Sequence, residues 1–75
     1  MIQVTVSLHG VFRINRFKLK ELEYPEGCSV QKVIDDLQIP ATLLGTVLIN
    51  KAHTTSSAIL NDGDTLMILP LLEGG

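Results

Sequence analysis

The stretch Asn61-Asp62-Gly63-Asp64-Thr65-Leu66-Met67-Ile68-Leu69-Pro70-Leu71-Leu72-Glu73-Gly74-Gly75 decides how this chain is read. Its first four residues are a turn signal: glycine supplies positive φ, and aspartates offer short side chains for local hydrogen bonds. Thr65 to Leu69 then reads as a strand. Leu66 and Ile68 point to a core, and Met67 and Leu69 lie on the outer face. Apolar residues on both faces suit a covered central strand, or one that presents a patch to a partner. Pro70 has no N–H and is expected to stop the strand. Beyond it Gly74 and Gly75 lack a Cβ, so the backbone is thin enough for another protein to approach closely. Residues from about 70 to 75 are therefore expected to form a flexible tail, with a free carboxylate on Gly75.

Working outward, 75 residues make one domain near the lower size limit for an unassisted core. The chain offsets its size with 45% hydrophobic residues, and with only 4% aromatics that core is expected to be aliphatic. A formal net charge of −2 with scattered charges argues against a nucleic-acid partner. Cys28 is the single cysteine, which excludes an intrachain disulfide and suits a cytoplasmic location. There is no apolar run of about 18 residues or more and no charged-then-apolar leader pattern, so no membrane association is expected.

Met1 to Leu8 alternates: Ile2, Val4, Val6 and Leu8 face one way, and Gln3, Thr5 and Ser7 the other, as in a half-buried strand. Val11 to Leu19 fits no period, and four of the six basic residues fall at Arg13, Arg16, Lys18 and Lys20. These read as solvated cations of a hairpin loop, with a basic rim for an acidic partner as the alternative. Lys20 to Tyr24 resumes alternation, with Leu22 and Tyr24 inward, as a second, antiparallel strand. Pro25-Glu26-Gly27 turns the chain. Ser29 sits at a helix N-cap, and Val30, Val33, Ile34 and Leu37 follow at helical spacing, so the helix should run from Ser29 to Leu37 or Gln38.

Asp35 and Asp36 are consecutive and read as a solvated helix face, and Cys28 as a structural thiol. Ala41 to Leu44 suggests one helical turn, Val47 to Ile49 a short strand, Asn50-Lys51 a tight turn and His53 to Ser57 a loop. Ala58 to Leu60 returns to the core. Asp62 and Asp64 have a sufficient role in the turn, and a metal loop would need several more oxygen ligands.

The element order predicts an α+β chain of the β-grasp type: a mixed sheet of four to five strands packed on one helix. At this level the chain resembles the ubiquitin-like sulfur carriers. The Asp62-Gly63-Asp64 turn, apolar strand, Pro70 and Gly74-Gly75 ending are similar to the ending of the molybdopterin synthase small subunit. Leu22-Glu23-Tyr24-Pro25-Glu26-Gly27-Cys28-Ser29-Val30 resembles the approach to that family's helix, and Val47-Leu48-Ile49-Asn50 its central strand. Leu71 stands where that family often has a second proline. The thiamine-pathway carrier is similar too, but is usually shorter between its first two strands.

The resemblance implies that this chain is a carrier and not an enzyme. An adenylating, ubiquitin-activating-like enzyme using ATP and Mg²⁺ would adenylate Gly75, and this chain would bind no cofactor itself. A sulfur donor, such as a cysteine desulfurase or a rhodanese-like protein, would convert the adenylate to a thiocarboxylate. A synthase large subunit would then take the sulfur into molybdopterin. Gly74 and Gly75 would enter the partner's tunnel, Pro70 would set the tail's direction, and Leu71, Leu72 and Glu73 would contact the partner. Leu8, Met67 and Leu69 are the candidates for the docking patch. The alternatives are sulfur transfer to thiamine or another metabolite, or conjugation to other proteins through Gly75.

Overall fold

The computed structural model describes residues 1–71; Leu72, Glu73, Gly74 and Gly75 lie outside the described residues. Alternation builds the first strand, β1 (Ile2–Leu8), in which Ile2, Val4, Val6 and Leu8 are buried. β2 (Leu19–Tyr24) pairs antiparallel with it, from Ile2 opposite Tyr24 to Ser7 opposite Leu19. Tyr24 is buried and Leu22 packs against the core, as the alternation predicts.

The helix α1 (Val30–Asp36) starts where its cap lies, with the Ser29 hydroxyl accepting from the Lys32 N–H at 3.3 Å. Its apolar stripe, Val30, Val33 and Ile34, is buried in the core. At the other end Ile39 N–H bonds the Ile34 carbonyl and Gln38 N–H that of Asp35, while Gln38 takes φ +56°. That is the pattern of a Schellman C-cap, with glutamine in the left-handed position that glycine usually fills.

β3 (Leu44–Ile49) and β4 (Ala52–Thr54) form an antiparallel hairpin. Asn50 and Lys51 have φ of 52° and 71°, the signs that a two-residue type I′ turn requires. His53 and Thr54, expected in a loop, thus belong to an edge strand. An edge needs little apolar content, which is why its polar sequence reads as loop. The helical turn expected at Ala41 to Leu44 is a short 3-10 turn at Ala41–Leu43. Leu60 is buried as expected, but Ile59 beside it is exposed.

β5 (Thr65–Pro70) lies parallel to β1 and antiparallel to β3, so the five strands run β2-β1-β5-β3-β4. The Asp-Gly-Asp turn clamps it in place. Asp62 Oδ1 accepts from Gln3 N–H at 2.7 Å, and Gly63 N–H donates to the Gln3 carbonyl at 2.8 Å. Asp64 accepts from Asn61 N–H and from the Asn50 amide, whose own oxygen accepts from Thr65 N–H. Both carboxylates are occupied by the fold. Among the described residues no group of three metal-ligating side chains gathers.

Three expectations are corrected. The basic segment is no plain hairpin loop of solvated cations. It contains a 3-10 turn at Gly10–Arg13, and Arg13 Nε donates to the Leu8 carbonyl at 2.9 Å. Arg16 donates to the carbonyls of Leu37 and Gln38, both at 2.9 Å, and so caps the C-terminus of α1. Asp36 is not merely solvated, because it accepts from the Tyr24 hydroxyl at 2.9 Å. β5 does end at Pro70, but includes it as its last residue, opposite Leu44, one position past the expected Leu69. The missing N–H falls beside a register shift between Leu44 and Thr46, where the ladder is already irregular.

Cys28 is buried, and that burial pushes its thiol above the ordinary range, which leaves little reactive thiolate. Burial, and then the bond to Asp36, likewise holds the Tyr24 phenol above its ordinary value. Folded Tyr24 therefore keeps its proton at a pH where the unfolded side chain ionises. Stability must fall as pH rises past about 10, where unfolded tyrosine titrates. The Tyr24→Phe variant is expected to lose this contribution to the alkaline slope and to cost about 1 kcal/mol at neutral pH. Urea melts of both chains at neutral pH and above about pH 10 measure the difference.

Candidate tail exit and docking face

The last described residues are aimed by close backbone approach. A Cβ added to Gly45 would lie 2.7 Å from the Pro70 carbonyl carbon and oxygen and 2.8 Å from Leu71 N. Glycine is required there for space, at the bulge where Leu44 and Thr46 shift register against Pro70 and Leu69. On the other side a Cβ on Gly10 would stand 3.1 Å from Pro70 Cγ, and Gly10 has φ +57°. Leu71 N–H donates to the Leu43 carbonyl at 2.8 Å, which extends the pairing one residue past Pro70. The chain therefore leaves the sheet fixed on both sides up to Leu71.

The sheet's outer face carries the candidate docking residues. Met67 stands between Ser7 of β1 and Leu48 of β3, and Leu69 stands opposite Thr46. Met67, Leu69 and Leu48 are each partly exposed. Pro70 is partly buried, and Leu71 is 58% exposed. Leu8 is corrected. It is fully buried, pairs with Ile68 on the inner face and cannot line a docking patch. Its place follows from the alternation of β1, which puts it with Ile2, Val4 and Val6. The expectations for Leu72, Glu73, Gly74 and Gly75 lie outside the described residues.

Four contributors escaped the sequence reading: Gly10, Leu43, Gly45 and Leu48. Gly45 carries no local signal of its role, since only the fold brings Pro70 against it. Leu48 was placed in a strand, but its outward side shows only once Met67 is known to lie opposite it.

The fold that holds this exit is shared with solved proteins. A putative molybdopterin converting factor subunit 1 from Pyrococcus furiosus matches 96% of this chain and 100% of its own, with TM-score 0.79 and 21% identity. Small archaeal modifier protein 1 from H. volcanii matches 96% and 100%, with TM-score 0.79 and 14% identity. A complex of subunits 1 and 2 of molybdopterin-converting factor from Helicobacter pylori also matches. It covers 99% of this chain and 100% of its own, with TM-score 0.67 and 17% identity. This chain has the β-grasp fold. No protein-family model matches the sequence, and no curated protein resembles it closely enough to count as a match.

The β-grasp chain holds its exit strand by the fit at Gly45. Gly45→Ala is expected to force the Pro70–Leu71 backbone away and to destabilise the chain by about 1–3 kcal/mol, as overpacking does. A loss of 1 kcal/mol in a domain this size lowers Tm by roughly 4–8 °C. Thermal melts should therefore fall by several degrees, and the amide shift of Leu71 should change most.

Proposed function

We propose that this chain is a carrier whose Gly75 carboxylate is the reacting group. The observation that supports this best is the anchoring of β5 through Leu71, four residues short of Gly75, on a β-grasp scaffold with apolar outer-face residues exposed. A carboxylate is a poor acyl donor, because its leaving group would be oxide. In this reading a partner enzyme with ATP and Mg²⁺ joins a Gly75 oxygen to the α-phosphorus, and pyrophosphate leaves. A sulfur nucleophile at the level of hydrosulfide then attacks the carbonyl carbon, and AMP leaves with the bonding electrons. The product is a C-terminal thiocarboxylate.

The roles of the tail follow. Gly74 and Gly75 let the chain enter a narrow tunnel, where a Cβ would meet the wall. Leu71 and Leu72 bury apolar area against the partner, worth roughly 1.5–3 kcal/mol for a fully buried side chain. Glu73 contacts the partner beside them. Met67, Leu69 and Pro70 form the docking surface. The solved subunit 1–subunit 2 complex favours a synthase large subunit as the acceptor of the sulfur, for molybdopterin assembly. A donor of the cysteine desulfurase or rhodanese-like kind carries this sulfur as a persulfide, a thiol reductant releases it at the hydrosulfide level as a disulfide forms, and the exchange takes place in the cytoplasm. A second reading, conjugation to other proteins through Gly75, is favoured by the modifier protein of the same fold.

Intact-mass measurement of the protein from its native cell should reveal a fraction with one oxygen replaced by sulfur, lost when Gly75 is deleted. A wild-type chain that forms no adenylate with the cell's activating enzymes refutes the carrier reading. Gly75-dependent high-mass adducts, without the sulfur-bearing form, would select the conjugation reading instead.

A further inference from the structure

A second apolar surface stands where β5 runs out. Val11, Ile14, Leu37, Pro40 and Leu43 line a groove of about 450 Å³, with Arg16 in its wall. Val11, Ile14 and Leu43 are 50%, 62% and 42% exposed. Leu71, at 58%, is held next to this groove by its backbone N–H bond to the Leu43 carbonyl. Three of the seven exposed large apolar side chains of the described residues thus line one groove. Single exposed apolar residues are ordinary, but a cluster of this kind marks a contact surface.

The groove is held open by the fold. Arg16 ties one wall to the other through the carbonyls of Leu37 and Gln38, with longer bonds to those of Phe12 and Ile14. Among the described residues no acidic one lines it. Arg13, in sequence between the lining residues Phe12 and Ile14, is exposed, so that with Arg16 this side of the groove is positive.

We propose that this groove docks an apolar side chain, flanked by carboxylates, of the enzyme that acts on Gly75. The inference rests on the carrier reading, and reach supplies its reason. In that reading the reacting carboxyl lies four residues beyond Leu71, a span of at most about 14 Å when fully extended. An enclosed active site within that distance brings the enzyme's outer surface against Val11, Ile14 and Leu43. The groove takes its apolar group, and Arg13 and Arg16 favour carboxylates beside it.

The test is steady-state adenylation of the full chain by the cell's activating enzyme. Ile14→Glu and Leu43→Glu are expected to raise KM for the carrier about tenfold or more, the equivalent of about 1.4 kcal/mol, with kcat within about twofold. Ile14→Lys should raise KM far less, because it keeps the rim positive. Ile59→Glu, at the opposite end of the sheet, should match wild type. Wild-type KM in both glutamate variants overturns the proposal, as does equal damage from Ile14→Lys and Ile14→Glu. Shifts of the Val11 and Ile14 methyl signals when the chain is cut after Leu71 would make the chain's own tail the occupant and overturn it too. If wild type is adenylated and the variants behave alike, only the groove proposal fails. If wild type forms no adenylate, the carrier reading falls and takes the proposal with it.

Discussion

The parallel pairing of β1 with β5 is the constraint on which the rest of the structure depends. It joins the beginning of the chain to its end, from Thr5 opposite Thr65 to Leu8 opposite Ile68. Parallel neighbours cannot be joined by a tight turn, so the intervening chain must cross over. It uses that crossover to lay α1 on the inner face. Val4, Val6, Leu8, Leu66 and Ile68 are then all completely buried in the centre of the sheet. The Asp62-Gly63-Asp64 turn fixes the register by bonding both backbone groups of Gln3. Slipping β5 by one residue would break those bonds and turn Leu66 and Ile68 outward.

That pairing also decides where the chain leaves the sheet. β5 is central, so its end is surrounded: β1 leads into Gly10 on one side, and β3 brings Gly45 on the other. Each glycine accepts contact with Pro70 or Leu71 that a side chain would block. Proline at the end of a central strand normally removes a ladder bond. Here its neighbour Leu71 restores one to Leu43, and the bulge absorbs the mismatch. Local departures from regular pairing thus converge on the segment that leads into Gly74 and Gly75.

How much of this could be read in advance depends on the range of the interaction. The Ser29 cap, the apolar stripe of α1, the alternation of β1 and the Asp-Gly-Asp turn are set by residues a few positions apart, and each stands where its pattern puts it. β4 was missed because an edge strand buries little and has no apolar signature. Arg16 looked solvated, since the carbonyls it caps lie more than twenty residues on. The need for Gly45 is hidden in the sequence for the same reason, its partners being Pro70 and Leu71. Leu8 illustrates a different failure. Its alternation already placed it inside, and grouping it with Met67 and Leu69 ignored that parity.

The outer face combines exposure with restraint. Met67, Leu48 and Leu69 form an apolar centre on a face that no helix covers among the described residues. They are broken up by Ser7, Thr46 and His53, their cross-strand neighbours or the next row along. Short polar side chains beside larger apolar ones keep contiguous apolar area small in the free chain, which limits self-association. They also leave the backbone of the face low enough for a partner to pack against it. Under the proposed carrier function the chain offers its own terminus as substrate, and must be held and then released. A face of moderate apolar content beside a preformed groove suits such exchange better than the larger, more hydrophobic interface of a permanent complex.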